Sequence, residues 1–244
     1  MKLDIERAAR DGWATLRAHR EAVIPIVGLF VFLPAAAVSV FLPLQVPPAA
    51  TPEQLLVAFE LYLRGNLLWL LISGVLAAFA NATILSLLLH RDAPTVGEAL
   101  RRGLAMAPAL YAFSLIANVV IGMGLALLIV PGIYLLGRLA LGPAMMVAER
   151  RMNPIWGLAA SWTATAGNGW RIALLLAMLF LAGTTVGLAL GSLVGVVAGA
   201  AGGAEAVRPA GTIASSAISA IAGLLILMVR AAAWRQLAGD SKGI

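Results

Sequence analysis

Cysteine is absent from this 244-residue chain, which excludes disulfides, thiolate metal sites and cysteine nucleophiles. Only two histidines occur, His19 and His90. Neither has a carboxylate or a second histidine at ligand spacing, so no metal site is expected. Charge is scarce too: Asp, Glu, Lys and Arg make up 11% of the residues, against about 25% in an ordinary soluble domain. No polar stretch exceeds about 25 residues, which leaves no room for a separate soluble catalytic unit. There is no GxSxG, no P-loop, and no pair of carboxylates inside an apolar run. "GMG" at 122–124 is too short for a nucleotide loop. Together these absences point away from an enzyme and from any cofactor.

What is abundant is apolar sequence, at 61% of residues and a mean hydropathy of +0.96. Six apolar segments stand out, at roughly 22–43, 67–89, 104–130, 132–148, 171–200 and 212–234. Each is long enough for a hydrocarbon core of about 30 Å. The expected fold is all-α: one integral-membrane domain over 1–244 with six transmembrane helices. The first segment, "AVIPIVGLFVFLPAAAVSV", ends in small residues as a signal peptide does. A helically patterned, charged stretch of about 21 residues precedes it, so it reads as a retained span.

The net charge of +6 invites a nucleic-acid reading, but the basic residues follow topology instead. Fourteen of the seventeen Lys and Arg fall on one side of the expected bundle. They are Lys2, Arg7, Arg10, Arg17 and Arg20; Arg91, Arg101 and Arg102; Arg150, Arg151 and Arg171; and Arg230, Arg235 and Lys242. Only Arg64 and Arg208 fall on the other. Cytoplasmic loops collect Lys and Arg, so both termini are expected in the cytoplasm. Trp13, Trp69, Trp156, Trp162, Trp170 and Trp234 fall near span ends, as interfacial anchors do.

The connections carry helix signals of their own. "TVGE" at 95–98 is a capping box, and Asn153 followed by Pro154 starts a helix that Gly167 stops. Short cytoplasmic surface helices are expected at about 3–20, 95–103 and 154–166. The first places Ile5, Ala8, Ala9, Gly12, Trp13 and Leu16 near helical spacing. A shift of 60 residues pairs Pro94, Gly97 and Ala99 with Pro154, Gly157 and Ala159, and a shift of 149 pairs Trp13 with Trp162. Three copies of a surface helix plus hairpin are the implied plan. On the opposite side, Thr51, Pro52 and Gln54 start a helix expected to break near Gly65 and Asn66. Pro131 and Gly132 predict a tight turn between spans three and four, and "AGGAEAVRPAG" reads as a flexible loop.

Span five carries Gly183, Gly187, Gly191, Gly195 and Gly199, an i, i+4 series that lets another helix approach backbone to backbone. Ser215, Ser219 and Gly223 on span six are the expected partner face. A homo-oligomer or a protein partner using the same stripe is the alternative.

Arg138 is a charge set deep inside a span. An arginine at a helix centre costs about 2.5–3.5 kcal/mol on insertion scales, so it must snorkel or find acceptors. Asn81, Thr83, Ser114 and Asn118 are candidate acceptors, as is the Leu139 carbonyl, which Pro143 deprives of its helical donor. Three roles stay open: a structural anchor, a holder of a lipid phosphate or anionic solute, and a contact to a partner subunit. Two functions follow. One is a lipid-associated or accessory membrane protein; the other is a small transporter of an anionic or amphipathic solute, with Arg138 and Asn118 on its route.

The stretch from "PGIYLLGRLALGPAMMVAE" through "NPIWGLAASWTATAGNGWRI" resembles a pattern in YciC-like bacterial inner-membrane proteins. It is similar also to the membrane domain that accompanies some glycerophosphoryl diester phosphodiesterases. Pro131, Gly132, Tyr134, Arg138, Pro143, Glu149, Ala159, Ser161, Trp162, Thr165, Gly167 and Trp170 carry the likeness over about 40 residues. The resemblance implies a six-span fold in the bacterial inner membrane and brings no established activity. The basic residues expected just before Ser161 are missing, which puts a headgroup role for that helix in doubt.

Overall fold

Two prolines shape the first span. In the computed structural model, which describes residues 5–44, 46, 49–89 and 94–240, α1 (Ile5–Val27) contains Pro25 and α2 (Leu33–Phe41) has Pro34 in its first turn. Between them Gly28–Phe32 widens into a π-helical turn. Pro34 has no N–H for the Phe30 carbonyl four residues back. The Leu33 N–H donates to Gly28 instead, five residues back. Surface helix and span are thus one helical run. Of its expected inner stripe, Gly12 packs on Met228 whereas Trp13 is exposed. Lys2, His90, Arg91 and Lys242 lie outside the described residues.

Seven further helices follow: α3 (Pro52–Leu89), α4 (Val96–Leu127), α5 (Ile129–Leu139), α6 (Gly142–Ala148), α7 (Pro154–Ala164), α8 (Gly169–Gly202) and α9 (Ala204–Asp240). No strand occurs among the described residues. Six stretches are long and apolar enough to cross a membrane: Leu16–Phe41, Pro52–Leu89, Val96–Leu127, Ile129–Ala148, Gly169–Gly202 and Glu205–Leu237. The protein is an all-α, multi-pass membrane protein, and Gly12 near the start of α1 packs on Met228 of α9, so the described ends of the chain share one end of the bundle.

The capped starts form as their residues dictate. The Thr95 hydroxyl accepts from the Glu98 N–H at 3.3 Å while the Thr95 N–H donates to the Glu98 carboxylate at 3.0 Å. Thr51 and Gln54 make the same reciprocal pair at the start of α3. Asn153 accepts from the N–H groups of Ile155 and Trp156 at 2.9 and 3.2 Å.

The sequence expectations differ from the structure at several connections. The second surface helix, like the first, is no separate element: α4 runs unbroken from Val96 into its span. The break expected at Gly65–Asn66 is absent, because the Asn66 amide donates to the Tyr62 carbonyl of its own helix at 2.9 Å. The turn between spans three and four falls on extended Leu128, and Pro131 and Gly132 lie in the first turn of α5, where a proline loses no helical bond. The loop after span five contracts to Gly203, at φ 82°, and α9 begins at once with Pro209 inside it.

Burial is concentrated toward the end that carries the termini. The core gathers Val23 and Ile26, Ala80 to Leu88 of α3, Met106 to Ala117 of α4, Leu139 to Val147, and Leu227 to Ala231 of α9. Toward the opposite end α3, α4 and α5 expose large apolar residues such as Leu56, Leu68, Val119 and Ile129. There α8 is buried only at Gly187, Gly191 and Gly195.

The glycine stripe meets α9 closely. A Cβ on Gly191 would sit 2.8 Å from the Gly211 carbonyl oxygen, and one on Gly195 would sit 2.8 Å from that of Val207. Gly183 faces Ala222 and Gly199 faces Val207. The partner face is therefore Val207, Gly211, Ser215, Ile218 and Ala222. Of the expected trio only Ser215 lies on it, since Ser219 and Gly223 are exposed. Helix phase explains the miss: small residues line more than one side of α9.

Candidate functional site

The fourth span is not one helix. Pro143 has no N–H, and α5 stops at Leu139 while α6 starts at Gly142. The turn between them frees polar backbone groups in a buried place, where each needs a partner. α7 provides the partners. Ser161 and Thr165 stand four residues apart and so share one helical face. The Ser161 hydroxyl donates to the Arg138 carbonyl at 2.8 Å and accepts from the Leu141 N–H at 3.1 Å. The Thr165 hydroxyl lies 3.1 Å from the same Arg138 carbonyl and 2.7 Å from that of Ser161. Both hydroxyls are fully buried. Two side chains on a short helix thus close the gap in a neighbouring span. It is the Arg138 carbonyl, not that of Leu139, that receives them.

α7 then turns back sharply. Thr165 ends it, Gly167 takes φ 76°, and Asn168 starts α8. Gly137 permits the close approach, because a Cβ there would collide with the Gly169 carbonyl and with Ala173. Arg138 therefore lies beside the α7–α8 junction. The chain places it at the first turn of α8.

The arginine is 6% exposed. Its guanidinium carbon stands 4.2 Å from the centre of the Trp162 ring and 5.7 Å from that of Tyr134. Tyr134 meets Trp162 edge-on at 6.3 Å and tilts against Trp170 at 5.3 Å. The aliphatic stem crosses the start of α8, so that a Cβ on Gly169 would sit 2.7 Å from its Cδ. Cation–π contacts of this kind are worth about 0.5–2 kcal/mol, but they satisfy no N–H. The Nε is enclosed with no hydrogen-bond partner among the described residues.

The acceptors expected from the sequence lie elsewhere. Thr83 and Ser114 donate to the Phe79 and Leu110 carbonyls of their own helices, both at 2.9 Å. Asn81 is half-buried on α3 and Asn118 is exposed on α4. An apolar crevice of about 610 Å³ opens between α1 and the facing ends of α3 and α4, lined by residues including His19, Ile26, Phe30, Leu87 and Leu100. Arg138 does not line it.

Of the twelve residues singled out in the sequence between Pro131 and Trp170, Tyr134, Arg138, Ser161, Trp162, Thr165 and Trp170 converge on this one site, with Gly167 making the turn. Pro131 and Gly132 stand seven and six residues before Arg138, in the first turn of α5, and Glu149 is exposed beyond α6. Sequence reasoning missed Gly137 and Gly169, whose small size lets the two segments touch. Their signal was "GR" inside an apolar run and "GNG" before a span. No known family, curated protein or solved structure matches this chain.

Proposed function

We propose that this chain is a non-enzymatic, lipid-associated membrane protein of the bacterial inner membrane, with its termini in the cytoplasm, on the pattern of the YciC-like proteins. The observation that carries this reading is the seating of α7. Its buried face is spent closing the break in the fourth span, while Ile155 and Trp162 on α7, with Trp170 just after it, remain exposed. Exposed aromatic and aliphatic residues on a short helix at the bundle end suit the interface between headgroups and acyl chains. The positive excess on the same side supports a cytoplasmic, anionic leaflet. A transporter reading wants a polar route, whereas Arg138 packs among α5, α7 and α8 and shares no hydrogen bond with exposed Asn118.

Native mass spectrometry of the protein gently extracted from its own membrane tests this. A chain that keeps bound lipid supports the reading. A chain that carries a stoichiometric protein partner refines it to an accessory subunit. Bare monomer, with neither, overturns it.

A further inference from the structure

Arg138 lies where two helix ends meet, the last turn of α5 and the first turn of α8. The first turn of a helix gathers free N–H groups and a partial positive charge, which favours anions and disfavours cations. The first turn of α8 contains no acidic residue, and its Asn168 cap makes no capping hydrogen bond. Two arginines are placed there instead. Exposed Arg171 is the third residue of the helix, and the Arg138 stem lies across Gly169, the first.

Among the described residues, no acceptor takes a hydrogen bond from the Arg138 side chain, and none of them offers it an ion pair. The last turn of α5 favours a cation, but the Arg138 carbonyl there is already taken by Ser161 and Thr165. An enclosed N–H left without an acceptor is destabilising. An anion between the guanidinium and the α8 amides would reverse that penalty, because both sets of donors would point at it.

We propose that the Arg138 guanidinium and the first-turn amides of α8 together bind a phosphate group, with Trp162 stacked on the guanidinium as a lid. Guanidinium and helix N-terminus are the two donor types that suit a phosphate's several acceptor oxygens. The position, at the bundle end beside exposed Trp162 and Trp170, suits a phosphodiester of a lipid headgroup as well as a free phosphate. The lipid source rests on the function proposed above; the phosphate site does not.

Thermal unfolding of the full chain in detergent separates the cases. The probes are inorganic phosphate and, separately, mixed micelles containing phosphatidylglycerol. Wild type is expected to gain several degrees with at least one of them, and Arg138→Met to gain nothing. Arg138→Lys should keep a reduced response. In detergent free of both probes, Arg138→Met should unfold at a higher temperature than wild type, because it removes an enclosed, unsatisfied N–H while still packing on Trp162. Stabilisation by phosphatidylglycerol alone identifies the headgroup. Stabilisation by inorganic phosphate alone keeps the site and overturns the lipid reading. If Arg138→Met is less stable than wild type without ligand, or responds to the probes as wild type does, the site is refuted. No response of wild type to either probe refutes it as well.

Discussion

The two ends of the bundle are built from different materials. Toward the termini, side chains interlock: Met146, Leu141, Ile84 and Leu110 are all but fully buried, and polar groups close gaps between helices. Ser161 and Thr165 repair the fourth span, and the Arg235 guanidinium donates to the Leu88 carbonyl at the end of α3. Toward the other end, contact between α8 and α9 is made by glycine against backbone, and the neighbouring helices face outward with bare leucines and valines. In lipid there is no hydrophobic gain from hiding those side chains, since the tails are as apolar as they are. Packing there depends on close approach alone. Near the termini, the unpaired backbone of a broken span makes polar closure compulsory.

Removing the closure should therefore have the larger effect. Ser161→Ala combined with Thr165→Val leaves the Arg138 carbonyl and the Leu141 N–H buried and unsatisfied, a cost of about 2–5 kcal/mol for the two groups. The expected outcome is a large fall in unfolding temperature, with new proteolytic cleavage at exposed Arg150–Asn153 as α7 comes loose. Equal stability would mean that the hydroxyls are dispensable and the two ends are alike. At the far end, Gly191→Ala adds a methyl 2.8 Å from the Gly211 carbonyl oxygen, and about 1–3 kcal/mol of overpacking follows. Gly28→Ala, where nothing stands within 4 Å, is the control, and the difference in unfolding temperature between the two isolates the contact. The smallest effect belongs to exposed Arg64, paired with Glu60 one turn away at 2.6 Å. Arg64→Ala should change stability by no more than about 0.5 kcal/mol, within the scatter of repeated melts.

The same contrast decides how much a reader of the sequence can see. Six spans, the capped starts at Thr51, Thr95 and Asn153, and the glycine series of span five all follow local rules, since each depends on residues within a few positions. Arg138 declares itself as an oddity for the same reason. Its surroundings do not. Ser161 and Thr165 read as ordinary helix residues until their helix is placed against a span twenty and more residues upstream. The acceptors expected for Arg138 on the second and third spans lie elsewhere, because the interrupted fourth span packs its arginine against α7 and α8. Gly65, Asn66 and Pro209 carry turn chemistry that a long apolar helix overrides, because leaving backbone groups unpaired in hydrocarbon costs more than poor propensity does. The partner face of α9 was missed by helix phase, since small residues recur there on several sides.

The π-helical turn at Gly28–Phe32 has a bearing on phase as well. One residue more than an α-helix needs is wound into that stretch, and each α-helical residue advances the chain by about 100° around the axis. The first span is accordingly two screws cut at different starting angles. One directs Val23 and Ile26 into the main core, and the other turns Ala36, the buried residue of α2, inward along a helix that runs against α9. Insertions and deletions in this span are therefore not equivalent by position: the same single-residue change resets the facing of everything beyond it, and the turn is where the chain has already used that adjustment.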